Sequence, residues 1–123
     1  MIFGCGIDIE EIDRFNKHYF NRGILSDLIY DIFTSKEIEN FSVFGREAFL
    51  KGFCFKEAFY KALGNYHIGF SDIEIIFKNE YEFEIITSKI VKDIFKKENI
   101  IDIHANFQFN EQYAIFKVLL IKE

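Results

Sequence analysis

Phe55-Lys56-Glu57-Ala58-Phe59-Tyr60-Lys61-Ala62-Leu63-Gly64 reads as the last turns of one long helix that runs from about Gly45 to Leu63 and is stopped by Gly64. Glycine closes helices readily because it has no Cβ to oppose left-handed backbone. A helix advances about 100° per residue, so Glu57 and Lys61, four apart, project as neighbours from one face. Two readings follow. On an open surface the pair is an ordinary helix stabiliser worth ~0.2–0.5 kcal/mol. In a cleft it is a mixed-charge pair suited to a metal-bound phosphate.

The N-terminal run Met1-Ile2-Phe3-Gly4-Cys5-Gly6-Ile7-Asp8-Ile9-Glu10-Glu11-Ile12-Asp13-Arg14-Phe15 is apolar and glycine-spaced, then ends in acids. Strand side chains alternate faces, so Asp8 and Glu10 point to one side where a buried strand over residues 2–8 leaves the core. A hard cation such as Mg²⁺ takes oxygen ligands, one or two carboxylates with water and phosphate completing its shell. Asp8 together with Glu57 meets that need.

Between and beyond these stretches the pattern alternates helix and strand. Ile12, Phe15, Tyr19 and Phe20 have amphipathic spacing over about 11–21, with Gly23 as the stop, and Leu25, Leu28, Ile29 and Ile32 continue helically. Thr34-Ser35-Lys36-Glu37 is a capping-box signature opening a short helix to about Phe41. Ile73–Phe77 reads as a strand, Asn79-Glu80 as a turn and Tyr81–Ile86 as the hairpin partner. Thr87 or Ser88 caps a helix to about Lys97, and Ile100–Phe107 and Gln112–Ile121 close the chain as strands. The expected fold is α+β, an antiparallel sheet flanked by helices, with residues 1–123 forming a single domain.

Composition narrows the classes. With 123 residues the chain is short for an enzyme that must wrap a whole cofactor, so sites shared between subunits come into view. Phe numbers 17, with no Trp and no Pro, an apolar load large enough to cover part of a subunit interface as well as a core. A net charge of −5 argues against general nucleic-acid binding, which wants a basic surface. No apolar run approaches the length of a membrane span and no basic leader precedes the first strand, so an unprocessed cytoplasmic chain is expected. Cys5 and Cys54 have no metal-ligand spacing and read as buried small residues.

Gly6-Ile7-Asp8-Ile9-Glu10-Glu11-Ile12-Asp13-Arg14, then Phe33-Thr34-Ser35-Lys36-Glu37-Ile38, then the Phe55–Gly64 stretch, in this order and spacing, resemble the holo-[acyl carrier protein] synthases, small members of the 4'-phosphopantetheinyl transferase superfamily. Ser71–Ile75 also resembles the strand that follows the family's helical motif. The resemblance implies transfer of 4'-phosphopantetheine from coenzyme A to a serine of apo acyl carrier protein in fatty-acid biosynthesis, releasing adenosine 3',5'-bisphosphate. It also implies a homotrimer with active sites between protomers. The alternative is a non-catalytic trimeric module that keeps coenzyme A affinity but has lost transferase activity.

On this resemblance Asp8 and Glu57 hold Mg²⁺, Glu57 also takes the serine proton, and Lys61 steadies the phosphates. Glu10 is either a third ligand, direct or through water, or an acid capping the next helix. Lys56, Gly64 and Asn65 are further coenzyme A contacts, Lys56 ranking below Lys61. Arg14, Lys17 and Arg22 are expected to meet the acidic carrier protein, their alternative being a solvated helix face. Lys51 precedes Gly52, where the family often has arginine. His67 and His104 are minor candidates for the nucleotide.

Overall fold

A computed structural model describes residues 1–21 and 24–123. The long N-terminal strand β1 (Ile2–Glu11) runs directly into α1 (Ile12–Tyr19), and a two-residue ladder joins β2 (Phe20–Asn21) to β3 (Ile24–Leu25). Next come α2 (Leu28–Ile32), α3 (Ser35–Phe44), the eighteen-residue α4 (Arg46–Leu63) and a 3₁₀ turn at Phe70–Asp72. The hairpin β4 (Ile73–Phe77) and β5 (Phe83–Thr87), helix α5 (Lys89–Glu98), β6 (Ile100–Phe109) and β7 (Tyr113–Lys122) complete the chain. Among the described residues no helix is long and apolar enough to cross a membrane.

The α+β expectation is borne out, but the strands do not join into one sheet. β7 lies between β1 and β6, all antiparallel, whereas β4–β5 and β2–β3 are separate ladders. Phe20 and Asn21, expected at the end of the first helix, are paired with Leu25 and Ile24 instead. Their helical spacing is satisfied locally, yet Phe20 buries its ring against Phe49 of α4, with centroids 5.5 Å apart. Tertiary packing outweighs a helix propensity that differs by only tenths of a kcal/mol between residues. Gly23, the expected stop, lies outside the described residues.

Local signals placed several other ends, although β1 runs on past residue 8 to Glu11 and α3 past Phe41 to Phe44. Thr34 and Glu37 form a reciprocal capping box on α3, Ser88 accepts from Val91 N on α5, and Asn99 takes the left-handed conformation just past Glu98. Asn79 Oδ1 accepts from Tyr81 N and Glu82 N, which pulls those two residues into the turn and starts β5 at Phe83 rather than Tyr81.

The core lies between the inner face of the three-stranded sheet and α4. Ala114, Phe116, Val118 and Leu120 supply that face from β7. A connected set of rings, Phe33, Phe41, Phe77, Phe83, Phe116 and Phe55, carries it across to the β4–β5 hairpin at centroid separations of 5.1–6.1 Å. Most such contacts are tilted or edge-on, as aromatic quadrupoles favour. The abundance of phenylalanine is thus spent inward, and none of the exposed large apolar side chains among the described residues is Phe. Cys54 is buried as expected; Cys5 is not, because it faces outward from β1.

Candidate active site

Two glycines bring β1 onto α4. A Cβ on Gly4 would stand 1.9 Å from the carbonyl oxygen of Ala62, and one on Gly6 would stand 1.8 Å from that of Ala58. Backbone meets backbone there, and no side chain fits between. Cys54 Sγ donates to the main-chain oxygen of Asp8 at 3.1 Å, a third tie between the same elements. Burial and the neighbouring Asp8 and Glu10 charges push the Cys54 thiol pKa far up, so it stays a protonated donor.

Asp8 emerges from this contact as a buried carboxylate beside α4. Lys61 Nζ reaches across to Asp8 Oδ1 at 3.1 Å and to the Ile7 carbonyl at 3.0 Å. The anticipated pairing of Lys61 with Glu57 along the helix is therefore replaced by a bond to the strand, although the Lys61 charge still partly offsets the rise in the Glu57 pKa. The other oxygen of Asp8, Oδ2, is buried without a partner. A buried, unpaired carboxylate oxygen is costly.

Glu57 and Glu10 each feel the Asp8 charge. Burial and the Asp8 charge raise the Glu57 pKa. Glu10 is pushed up to about 7 by burial first, then by the Asp8 carboxylate beside it and by Glu57, with Arg14 opposing. Glu10 does not cap α1: the residue at the cap is Glu11, and it makes no side-chain bond there. Surplus negative charge and an oxygen lacking a donor are what a bound cation would relieve, so the donor chemistry fits a hard divalent ion. Among the described residues no three of His, Cys, Asp and Glu are gathered to hold a metal alone, so water and phosphate would have to complete the shell of any ion bound at Asp8.

The carboxylate crowding has a measurable sign. Glu10 holds a proton in the folded state from its ordinary value of 4.5 up to about 7, over a range in which the unfolded chain has released it. More protons on the folded form mean that stability falls as pH rises through this window. Melting temperature followed between those limits without divalent ions should decline, and Glu10→Gln should flatten the decline. An unchanged slope in the variant would remove Glu10 as its source.

Beside the acids lies a cleft of about 870 Å³ that includes Glu10, Arg14, Lys17, Tyr19 and Phe53. Arg14 and Lys17 are exposed on α1 and so stand on its rim, while Arg22 lies outside the described residues. Tyr19, whose hydroxyl pKa is raised by burial and by the Glu10 and Glu57 charges, was missed in the sequence, where it looks like one more apolar helix position. Gly64 ends α4 with φ 70°, a value that favours glycine, and both it and Asn65 are exposed.

Several expectations are corrected. Lys56 is fully buried and cannot meet a coenzyme A phosphate; its ammonium is held by Glu37 at 2.8 Å and by the carbonyls of Phe70 and Ile73. Consecutive helix positions diverge, and the one beside Glu57 faces the core. Gly52 sits under two rings, where a Cβ would stand 2.8 Å from Phe41, so no arginine fits there. Lys51 is buried with its ammonium over Phe107 and Phe109, at 4.7 and 5.0 Å from the ring centroids. His104 is exposed and bonded to Asp102 at 3.0 Å, opposite Leu119 in the ladder and so on the sheet face away from Asp8. His67 is exposed in the loop after α4.

This architecture has close counterparts. The holo-[acyl-carrier-protein] synthase of Staphylococcus aureus (strain Newman) is 35% identical over 130 residues, spanning 99% of this chain and 98% of that protein. The crystal structure of holo-[acyl-carrier-protein] synthase from Neisseria meningitidis superposes with a TM-score of 0.79 at 25% identity, covering 99% of this chain and 100% of its own. That of the Helicobacter pylori holo-[acyl-carrier-protein] synthase, in complex with coenzyme A, does so at 0.76 and 26%, covering 95% and 99%. The sequence pattern of the 4'-phosphopantetheinyl transferase superfamily matches residues 4–116, and the chain belongs to that superfamily, as its three motifs led us to expect.

Proposed function

We propose that this protein transfers 4'-phosphopantetheine from coenzyme A to a serine hydroxyl of apo acyl carrier protein, releasing adenosine 3',5'-bisphosphate, in fatty-acid biosynthesis in the cytoplasm. The observation that carries the reading is the buried Asp8 carboxylate, one oxygen bonded to Lys61 and the other buried without a donor, close to Glu57 and to Glu10, which with Arg14 lines the neighbouring cleft. It agrees with the relatives, which are synthases by name, one of them holding coenzyme A.

The serine oxygen attacks the β-phosphorus of coenzyme A, the bond from that phosphorus to the bridging oxygen breaks, and the bisphosphate leaves with the electron pair. Glu57 takes the serine proton; its raised pKa makes it a better base than an ordinary carboxylate. Lys61, half exposed, faces the phosphates and offsets the negative charge that builds on them. Mg²⁺ held by Asp8 and Glu57 would neutralise the diphosphate when bound. Glu10 would support such an ion, directly or through water, and backbone amides at Gly64 and Asn65 approach the nucleotide. Arg14 and Lys17, exposed on α1, meet the acidic carrier protein.

A homotrimer completes the site. Ile7 and Ile9 bracket Asp8 but point outward, 46% and 57% exposed, beside Ile115 and Lys117 of β7. A second copy seated on that apolar strip would stand next to the acids, and a chain that is one domain needs such a neighbour to enclose coenzyme A. A sizing measurement should give a trimer, and Ile9→Glu should give an inactive monomer.

With coenzyme A and Mg²⁺, the purified protein should add about 340 Da to apo acyl carrier protein, the mass of the transferred arm. Mg²⁺ should also flatten the fall in stability toward pH 7 by discharging the carboxylates. A protein that binds coenzyme A but modifies no carrier protein would instead be the non-catalytic module.

A further inference from the structure

Lys56 and Glu37 form an ion pair with both side chains fully buried, in which all three ammonium protons and both carboxylate oxygens have partners. The Lys56 ammonium has three protons and three partners: Glu37 Oε1 at 2.8 Å, the Ile73 carbonyl at 2.7 Å and the Phe70 carbonyl. Glu37 Oε1 also accepts from Thr34 N, and its Oε2 accepts from Ile75 N at 3.0 Å. One pair thus ties the start of α3, the middle of α4, the 3₁₀ turn and the head of β4. Phe70 is where the loop that leaves α4 at Gly64 comes back to that helix, and its ring rests on Tyr60 at 5.4 Å. The span from Glu57 to Phe70 is therefore pinned at both ends, at the residue preceding Glu57 and at the close of the loop.

We propose that the Lys56–Glu37 pair is a positioning device for coenzyme A, holding the loop 64–69 at a set distance from Glu57 and Lys61. It rests on the reading that this loop and those two side chains serve the transferase. Folding alone does not call for ions at this point, since buried ion pairs are often matched or exceeded in stability by apolar replacements. What the pair supplies is a fixed attachment of two main-chain carbonyls to one turn of α4.

The test compares Glu37→Gln, an isosteric change that keeps an acceptor for Lys56, with the double variant Lys56→Met/Glu37→Gln, which removes the loop tie without leaving a charge unpaired. Steady-state transfer to apo acyl carrier protein is measured against coenzyme A concentration, alongside thermal melting and amide hydrogen exchange. The expected result is a rise in KM for coenzyme A of about tenfold in the double variant, with kcat within about threefold of the parent, and a smaller rise in Glu37→Gln. Amides of residues 64–70 should exchange faster while those of β7 do not.

Altered melting with an unchanged KM in both variants would make the pair merely structural and overturn the proposal, as would an equal fall in kcat with KM unmoved. If the double variant does not fold, Glu37→Gln alone decides by the same criterion. Failure of the parent protein to transfer would overturn the function itself, and coenzyme A affinity measured directly on parent and variants would then decide the loop's role.

Discussion

Glu57→Gln is expected to cut transfer to apo acyl carrier protein by about a thousandfold or more, because one substitution removes a proton acceptor and a negative charge facing the cation. Stability should move the other way. Burial and Asp8 raise the Glu57 pKa, so its ionised form is disfavoured in the folded protein and a neutral amide of the same shape relieves that repulsion. A variant that melts at or above the parent temperature, still binds coenzyme A and has lost turnover would separate chemistry from folding. Retention of more than a tenth of the parent rate would remove Glu57 from the reaction. Lys61→Met should be milder in rate but should leave Asp8 with both oxygens lacking a side-chain donor.

Gly6→Ala should be among the most damaging single-methyl changes in the chain. The added carbon would lie 1.8 Å from the Ala58 carbonyl oxygen and 2.8 Å from its carbon, and both are backbone atoms of a helix that cannot step aside. Strand and helix must separate, at a cost of about 3 kcal/mol or more, with a fall of roughly 10 °C in melting temperature. Asp8 is two residues along the same strand and Glu57 one residue before Ala58, so activity should fall further than stability explains. Adding Ala58→Gly must not rescue the variant, since the obstacle is the carbonyl and not the methyl. A rescue, or a melting temperature within a degree or two of the parent, would refute this account of the Gly4–Gly6 spacing.

Much of the architecture was legible because it depends on neighbours in sequence. The capping box at Thr34 and Glu37, the helix ending at Leu63 before Gly64, the turn at Asn79 and the cap at Ser88 are signals spanning about four residues, and each stands where its chemistry put it. Asp8 and Glu10 were placed on one face of β1 by strand periodicity alone, and the part that the Asp8 charge plays in raising the Glu10 pKa reflects that placement. The breaks came where partners were distant. Phe20 and Asn21 read as helix because nothing nearby says that Phe49 waits across the core.

The sequence by itself determined the order of the longer elements, the α+β class and the acids that leave the first strand, for these follow from periodicity, caps and turn residues acting over a few positions. Only the tertiary structure decided the fate of the charges. Lys56 and Lys61 are close in sequence on one helix, yet the first is sealed against Glu37 and two carbonyls while the second reaches Asp8, 53 residues away. Whether an ammonium is solvated, paired or buried depends on the dielectric and donors that distant segments bring to it, and no local pattern carries that information.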